Sequence, residues 1–252
     1  MTINDVEVAR RAAQAAAEVL LGLRASGEFS GRELGDAGDA AAQRAILASL
    51  TADRPDDVVF SEEAVDDPRR LRADRVWIVD PLDGTREYGE APRHDWAVHV
   101  ALWEGGDLTA AAVALPGLDE ILLTEPAPEL PPRADGPVRV AVSRSRPPAE
   151  ATAVAEALGA ELVPLGSAGY KTVAVARGEV DAYVHSGGQY QWDSAAPVAI
   201  ARAAGLTTCR LDGSPLVYNA PDPWLPDLIV CRPELADRIL AAVSSTNSEI
   251  IA

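Results

Sequence analysis

Cysteine and histidine are scarce in this chain of 252 residues, which has two cysteines and three histidines. The cysteines, Cys209 and Cys231, lie far apart and form no CxxC pair. A disulfide-stapled fold and a histidine-rich zinc site are therefore disfavoured, and two reduced structural thiols are the expected state. His99 alternates with apolar residues in WAVHVALW, so we interpret it as a strand residue.

Long apolar runs and positive charge are also in short supply. No run approaches the roughly 18 residues of a membrane span, and the charged start, MTINDVEVARRAAQ, lacks the apolar block of a signal peptide. The 22 Lys and Arg residues oppose 39 Asp and Glu residues, which gives a formal net charge of −17. This balance argues against nucleic acid or a membrane as partner, although a bound cation can reverse the sign locally. We expect a cytoplasmic protein.

The apolar pattern predicts an α/β protein in two parts. Hydrophobic residues make up 48% of the chain, enough for a sizeable core. Residues 126–137, PAPELPPRADGP, form the predicted boundary between an N-terminal α+β part, 1–128, and a C-terminal α/β part, 137–252. The first part is predicted to hold helices at 4–25 and 39–50. The predicted strands of that part span 58–61, 75–80, 96–104, 108–116 and 120–125.

Acidic residues recur at predicted strand ends and helix starts, positions that commonly converge on one edge of a layered α/β fold. They are Asp36 and Asp39 in GDAGD, Glu62 and Glu63 in SEEA, Asp80 and Asp83 in DPLDGT, and Asp193 in WDSAAP. Taken singly, each has an ordinary explanation: a helix cap for Asp39 and Asp193, a turn for Asp83-Gly84, and a solvated loop for the two glutamates.

Their combination favours a metal site. Clustered carboxylates repel unless they are protonated or bridged by cations. Mg²⁺ suits such a set, because it prefers oxygen ligands and binds through a few carboxylates together with a substrate phosphate. Two such ions can activate water and neutralise the leaving oxygen of a phosphate ester. The Thr85 hydroxyl could orient that water, and the N–H groups of Gly84 and Thr85 could meet a phosphate.

The stretch VWIVDPLDGTREY, residues 76–88, resembles the signature of the lithium-sensitive, Mg²⁺-dependent phosphatases. This inositol monophosphatase superfamily includes fructose-1,6-bisphosphatase and 3′-phosphoadenosine-5′-phosphate (PAP) phosphatase. WDSAA, residues 192–196, resembles its second signature, and Glu62-Glu63 its upstream element. The three elements follow the family order and spacing, and the likeness covers nearly the whole chain. It implies an αβαβα sandwich of alternating helix and sheet layers, with the site between the two parts.

The resemblance also implies roles for the matching residues. Asp39 and Thr85 would position or deprotonate the attacking water, with Glu62 contributing to catalysis and Glu63 as an outer acid. Asp36 stands where the family usually has threonine. Two or three Mg²⁺ ions would be held by Glu62, Asp80, Asp83, Asp193 and the backbone carbonyl of Leu82. Substrate contacts would come from Gly84, Thr85, Arg86, Arg144, Arg146, Gly166, Ser167, Ala168, Lys171 and Asp193.

Details within the motifs resemble the PAP phosphatase branch. Arg86-Glu87-Tyr88, directly after the Asp-Gly-Thr turn, resembles the sequence of that branch at this point. The SRSR stretch could place Arg144 and Arg146 against a second phosphate. The alternative for these arginines is a polar loop, and for Lys171 a solvated helix position. GSAG, residues 166–169, instead resembles the inositol-type segment.

Three functions follow as hypotheses. The resemblance favours a cytoplasmic, Mg²⁺-dependent enzyme, monomer or homodimer, that hydrolyses PAP to AMP and phosphate by in-line attack of water, clearing a by-product of sulfate assimilation. The alternative is a broad sugar-phosphate phosphatase acting on inositol monophosphate or fructose-1,6-bisphosphate. A catalytically silent phosphate- or metal-binding protein is the third.

Overall fold

The computed structural model describes residues 3–251, with side chains through residue 245. Within that range the chain forms two five-stranded sheets and seven α-helices. The elements of the first part are α1 (Asp5–Ser26), α2 (Gly31–Asp53), β1 (Val58–Ser61), β2 (Arg75–Asp83), α3 (Thr85–Gly89), β3 (Ala97–Glu104), β4 (Asp107–Leu115) and β5 (Glu120–Leu123). Those of the second are β6 (Arg139–Ser143), α4 (Ala149–Leu158), β7 (Glu161–Leu165), α5 (Ala168–Ala176), β8 (Ala182–Tyr190), α6 (Ala195–Ala203), β9 (Thr207–Cys209), β10 (Trp224–Cys231) and α7 (Ala236–Ile251).

Helices and sheets alternate in five layers. Helices α1 and α2 cover the outer face of the first sheet, whose strand order is β1-β2-β3-β4-β5. Helices α5 and α6 lie between the two sheets. Helices α4 and α7 cover the outer face of the second sheet, of order β7-β6-β8-β10-β9. The αβαβα fold predicted from the sequence is confirmed, whereas the division into parts 1–128 and 137–252 stays a prediction.

Strand β2 is buried on both faces, which explains its nearly continuous apolar sequence. Trp77 and Val79 point towards α1 and α2, while Val76 and Ile78 point towards the layer of α5 and α6. Because side chains alternate along a strand, Asp80 continues the second set and faces the middle of the molecule. The strand thus delivers a carboxylate between the two sheets.

Helix α2 begins at Gly31, so the predicted start at residue 39 is wrong. The Gly- and Asp-rich sequence GDAGD is typical of a turn that leads into a helix, but its glycines are helical and mark close packing instead. A Cβ on Gly35 would lie 2.6 Å from Thr85 Cγ2, and a Cβ on Gly38 would lie 2.7 Å from Tyr88 Cε1. Asp39 therefore lies inside α2, where it cannot cap the start of the helix.

Two further boundaries differ from the predictions. Strand β2 continues past the predicted end at residue 80 to Asp83, with an irregularity in its pairing to β3 between Asp80 and Asp83. Pro81 occupies this irregularity, where no ladder N–H is needed. The sequence DAYVH predicts a strand over residues 181–185, but β8 runs on to Tyr190. Among residues 3–251, no helix combines the length and the apolar character needed to cross a membrane.

The packing of α2 against α3 can be tested by substituting alanine for glycine. We expect Gly38→Ala to lower the free energy of unfolding by about 1–3 kcal/mol, because the added Cβ forces Tyr88 and its neighbours to move. Gly22→Ala is the matched control on exposed α1, with nothing described within 4 Å of its Cβ. That change should raise the same quantity by about 0.5–1 kcal/mol through helix propensity. Urea denaturation measures the free energy of unfolding of both variants. If Gly38→Ala changed it no differently from Gly22→Ala, the tight packing of α2 against α3 would be contradicted.

Candidate active site

Acidic side chains from distant segments of the chain meet at the end of β2. Strand β1 runs parallel to β2, so the loop that follows β1 begins beside the end of β2. The Glu62 N–H accordingly donates to the Val79 carbonyl at 3.4 Å. Helix α2 and the turn before α6 add one carboxylate each. The acids that interact here are Asp39, Glu62, Asp80, Asp83 and Asp193.

Asp80 lies at the centre of this acidic group and is 1% exposed. Burial, together with repulsion by Asp83, Glu62 and Asp193, raises its pKa well above the usual value. Its Oδ1 accepts the Leu82 N–H at 3.0 Å. Its Oδ2 has no hydrogen-bond partner among the described residues. The second oxygen of a buried carboxyl is therefore open to a cation.

Asp83 is held by the start of α5. Its carboxylate accepts the Ser167 hydroxyl at 2.6 Å and the N–H groups of Ala168 and Gly169 at 3.2 and 2.5 Å. Gly169 is required here, because a Cβ would lie 1.9 Å from His99 Nε2. The segment predicted to contact substrate thus fixes Asp83. Its contacts with substrate stay a prediction.

Asp193 and Glu62 complete the repelling set. Burial and repulsion by Asp83 raise the pKa of Asp193 to about 8. Burial and repulsion by Asp39 and Asp83 raise the pKa of Glu62 to about 7. Glu62 is exposed as a residue, so it lies at the solvent side of the acidic group. Asp193 precedes α6, and its Oδ2 accepts the Tyr190 N–H at 2.7 Å, so the explanation of Asp193 as a helix cap is wrong.

Asp39 lies on α2 next to Thr85, the first residue of α3. Burial, with repulsion by Glu63 and by Asp36 one turn earlier, raises the pKa of Asp39 to about 7. The Thr85 hydroxyl opposes this rise by stabilising the ionised Asp39 carboxyl, and it also lies 3.1 Å from the Leu82 carbonyl. In the described part of the chain, Asp39 Oδ1 lacks a hydrogen-bond partner. Asp39 is thus a buried carboxyl with one free oxygen beside a hydroxyl.

The donor set fits a hard divalent cation. Several carboxylates face one another, and two of their oxygens, on Asp39 and Asp80, are buried without partners among the described residues. Bound cations lower such repulsion, and oxygen-only donor sets favour Mg²⁺ or Ca²⁺. His99 lies beside the set, with Nε2 3.5 Å from Asp83 Oδ2 and Nδ1 3.9 Å from Asp80 Oδ2. A bound cation would therefore reduce the repulsion between these acids.

The structure separates the arginines that the sequence grouped together. Arg144 pairs with Glu87 at 2.6 Å and with Glu90 at 2.8 Å, and so links the loop after β6 to α3. Arg86 also pairs with Glu90, at 3.0 Å. Arg146 is exposed, and within residues 3–245 no ion pair holds its guanidinium. Of these three, Arg146 has no ion pair among the described residues, Arg86 has only an exposed pair one helical turn away, and Arg144 is held by two acids.

Lys171 is 5% exposed, so the alternative of a solvated helix lysine is wrong. Its Nζ donates to the carbonyls of Gly166 and Ser167 at 3.0 and 2.5 Å. Burial lowers the pKa of Lys171 to about 8, against the opposing effect of the nearby acids. Lys171 supports the segment that holds Asp83 and brings positive charge close to the acids.

Two adjoining clefts open beside the acids. The first encloses about 330 Å³, and its walls include Asp83, Asp193, Lys171, Tyr183, His185 and Tyr190. The second encloses about 340 Å³ and contains Arg146. Ser143, His185 and Gly188 line both. A ligand bound at the acids therefore has room to extend towards Arg146.

Some participants were missed by the sequence analysis. His99 does lie on a strand, as predicted, but its place between Asp80 and Asp83 was not foreseen. The pairing of Asp80 with His99 across β2 and β3 brings them together, and sequence alternation alone could have suggested a shared face. Asp95 was also missed, and its Oδ2 accepts the Gly166 N–H at 2.6 Å. No local pattern marks that long-range contact.

Fold and site together define a layered α/β protein with an acidic site suited to a divalent cation. Comparison with known proteins agrees. The profile of the inositol monophosphatase family matches residues 1–130 and 131–248. The chain therefore belongs to the inositol monophosphatase family, whose members are metal-dependent.

The names of several similar proteins specify one activity within the family. A 3′-phosphoadenosine 5′-phosphate phosphatase of Mycobacterium bovis is 50% identical over 219 residues, which covers 84% of this chain and 82% of that protein. The protein of the same name from Mycobacterium leprae is 47% identical over 254 residues, covering 96% and 94%. The crystal structure of CysQ from Bacteroides thetaiotaomicron superposes with a TM-score of 0.77 at 27% identity, covering 90% and 97%.

The raised pKa values predict how stability depends on pH when no cation is bound. Folding raises these pKa values, so the stabilising contribution is full below the unfolded-state value and is lost as the pH rises through the folded-state value. For Asp39, Glu62 and Asp193 the loss extends to about pH 7–8. We expect the free energy of unfolding in EDTA to be lower at about pH 8.5 than at about pH 6, by roughly 1 kcal/mol or more.

Urea unfolding at the two pH values measures this difference. Asp80→Asn should flatten the dependence, because it removes the central charge while keeping an oxygen for the Leu82 N–H. Millimolar Mg²⁺ should raise the stability most at the higher pH, because the cation binds the ionised acids. If the free energy of unfolding of the unchanged protein in EDTA instead rose from the lower to the higher pH, these acids would not repel as described.

Proposed function

We propose that this chain is a Mg²⁺-dependent phosphatase that removes the 3′-phosphate of PAP to give AMP and phosphate. The observation that carries the proposal is the group of mutually repelling carboxylates at the end of β2. The names of the mycobacterial relatives support PAP as the substrate. This activity would remove a by-product of sulfate assimilation.

In this proposal, the cation ligands are the carboxylates of Glu62, Asp80, Asp83 and Asp193 and the carbonyl of Leu82, which together hold two or three ions. Bound Mg²⁺ would polarise the phosphate oxygens and lower the pKa of water. The chain itself orients these ligands: the N–H groups at the start of α5 fix Asp83, and the Tyr190 N–H fixes Asp193. Because these carboxylates are already held in place, they would lose little conformational freedom when a cation binds.

Asp39 is the proposed proton acceptor for the attacking water. A pKa of about 7 suits a group that must take up and release a proton near neutral pH. Its Oδ1, to which no described residue is hydrogen-bonded, offers the site for that proton. The neighbouring Thr85 hydroxyl would orient the water towards the phosphorus, and the N–H groups of Gly84 and Thr85 would meet the phosphate.

Arg146 is the proposed partner of the second phosphate of PAP. Its exposed guanidinium lies in the cleft that adjoins the acids, and arginine binds phosphate with paired hydrogen bonds. Arg144 was predicted to share this role, but its ion pairs with Glu87 and Glu90 already engage it. Arg86 is exposed and pairs only with Glu90 one helical turn away, so its predicted contact with the substrate stays a prediction.

The proposed partner is a small phosphate ester, with the chain acting as a monomer or a homodimer. Both cysteines are free and buried, Cys231 fully and Cys209 at 8% exposure, which fits a reducing compartment. We therefore place the proposed activity in the cytoplasm.

The proposed substrate is tested by comparing three esters in millimolar Mg²⁺. Phosphate release from PAP should exceed that from inositol 1-phosphate and fructose 1,6-bisphosphate by at least about tenfold in kcat/KM, roughly 1.4 kcal/mol of transition-state discrimination. A smaller preference would favour the broad sugar-phosphate phosphatase. Release from none of the three esters would favour a silent binding protein. Asp80→Asn is the inactive control.

The two loop arginines provide a matched pair of variants. Arg146→Ala should raise KM for PAP by roughly tenfold, because a charged hydrogen bond to phosphate is lost. It should leave KM for a monophosphate ester nearly unchanged. Arg144→Ala should instead lower thermal stability and affect both substrates alike, because its ion pairs with α3 are lost. Equal losses on the two substrates from Arg146→Ala would exclude its contact with the second phosphate.

A further inference from the structure

Arg70 has no exposed surface, which is unusual for an arginine. It lies in the short helical segment Pro68–Arg72, which follows the loop that carries Glu62. A buried charge is strongly destabilising unless its hydrogen-bonding groups are paired. The partners of Arg70 therefore show which parts of the structure it holds together.

All five N–H groups of the Arg70 side chain have acceptors. Nε and Nη2 donate to the two carboxylate oxygens of Asp66, at 2.6 and 3.0 Å. Nη1 donates to Asn219 Oδ1 at 3.0 Å and to the Ala220 carbonyl at 2.9 Å. The remaining N–H, on Nη2, donates to the Pro221 carbonyl at 3.2 Å. Arg70 thus joins its own loop to a segment about 150 residues further along the chain.

That distant segment, residues 219–223, is here called the bridge, because it is also hydrogen-bonded to the turn that carries Asp193. The Gln191 N–H donates to the Pro223 carbonyl at 2.9 Å, and Gln191 Nε2 donates to the Asp222 carbonyl at 2.8 Å. Gln191 is 1% exposed and lies two residues before Asp193. Arg70 and Gln191 therefore bind the same five residues from two different parts of the chain.

Asn219 fixes the start of the bridge. Its φ of 55° lies in the left-handed region, which asparagine adopts more readily than most residues. Its side chain accepts from Arg70 Nη1, and its Nδ2 donates to the Arg70 carbonyl at 3.0 Å. The contact is reciprocal, so it holds the backbone of Arg70 as well as its side chain.

Aromatic packing links the same regions. Phe60, two residues before Glu62, lies against the Arg70 guanidinium, whose central carbon is 4.0 Å from the ring centroid. The Phe60 ring meets Trp192 edge to face, with centroids 5.1 Å apart. Trp192 directly precedes Asp193. Glu62 and Asp193 thus each follow a member of this packed group within two positions.

From these contacts we infer that Arg70 is a positioning residue, which holds the Glu62 loop and the Asp193 turn in the relative position that a common cation site requires. The inference rests on the proposed function, which makes both carboxylates cation ligands, and deepens it. Mg²⁺ demands nearly octahedral geometry with oxygens at about 2.0–2.1 Å, whereas Ca²⁺ accepts longer and less regular arrangements. A shift of either carboxylate should therefore weaken Mg²⁺ binding more than Ca²⁺ binding.

Cation binding tests this role without turnover. Calorimetry on the full chain would give Kd for Mg²⁺ and for Ca²⁺ with Arg70→Lys, Asn219→Gly and the unchanged protein. Arg70→Lys keeps the charge but lacks the planar fork of donors, so Kd for Mg²⁺ should rise roughly tenfold. Its Kd for Ca²⁺ should rise less than about threefold. Asn219→Gly permits the left-handed backbone and removes only the side-chain bonds, and should raise Kd for Mg²⁺ about threefold.

Arg232→Lys is the matched control. Arg232 is 3% exposed, pairs with Asp181 at 3.2 Å and donates to the Pro131 carbonyl at 2.8 Å. It follows the last residue of β10, whereas the first residue of β10 pairs beside the Asp193 turn, so roughly 20 Å of strand lies between them. Loss of this second buried fork should lower stability and leave Kd for Mg²⁺ within about twofold.

A Kd for Mg²⁺ within about twofold of the unchanged protein in Arg70→Lys would overturn the positioning role. An equal loss in Arg232→Lys would also overturn it, since cation affinity would then follow overall stability. If circular dichroism shows that Arg70→Lys does not fold, the same twofold limit is applied to Asn219→Gly.

The proposed function is judged separately, by the preference of the unchanged enzyme for PAP over inositol 1-phosphate. If that preference is present and Arg70→Lys leaves Kd for Mg²⁺ unchanged, the positioning role alone fails. If the preference is absent and Kd rises as expected, the positioning role holds and the proposed substrate fails.

Discussion

Repulsion among buried carboxylates is the constraint on which the rest of this structure depends. The pKa of Asp80 is raised well above its usual value, and that of Asp193 to about 8, because burial and neighbouring charge both oppose ionisation. A fold that gathers such groups gives up stability near neutral pH unless a cation binds. This loss of stability is confined to the end of β2, while the surrounding strands and helices form ordinary apolar layers. Relief of this repulsion would favour the binding of divalent cations.

The surrounding backbone keeps the acids in place despite their repulsion. N–H groups at the start of α5 stabilise the Asp83 carboxylate, as expected for an anion at a helix N-terminus. Gly169 lets α5 approach His99, and Gly35 lets α2 approach Thr85. Asp193, in the turn before α6, lies far along the chain from the other acids, so the site exists only when this turn packs against the end of β2. Arg144 adds an ion-paired link between the loop after β6 and the α3 segment.

The site consists of a charged centre and an exposed rim. Under the proposed function, the acids, Thr85 and the start of α5 would meet the phosphate and the cations. Arg146, which lines the adjoining cleft at the rim, would meet the rest of the ligand. The centre requires fixed geometry, whereas the rim can change with few effects on folding because it is exposed.

The sequence by itself determined the acidic residues and most strand positions, because turn chemistry and apolar periodicity are encoded within a few neighbouring residues. The five-layer fold followed from the resemblance of its motifs to those of a known family. It misplaced the start of α2, since glycines that permit close packing look the same as glycines that form a turn. Only the tertiary structure decided that Arg144 is ion-paired while Arg146 has no ion pair with a described residue, that Lys171 is buried, and that His99 adjoins the acids. It also decided which aromatic rings stay exposed at the cleft. The partners in these contacts lie tens of residues away along the chain, so no local pattern specifies them.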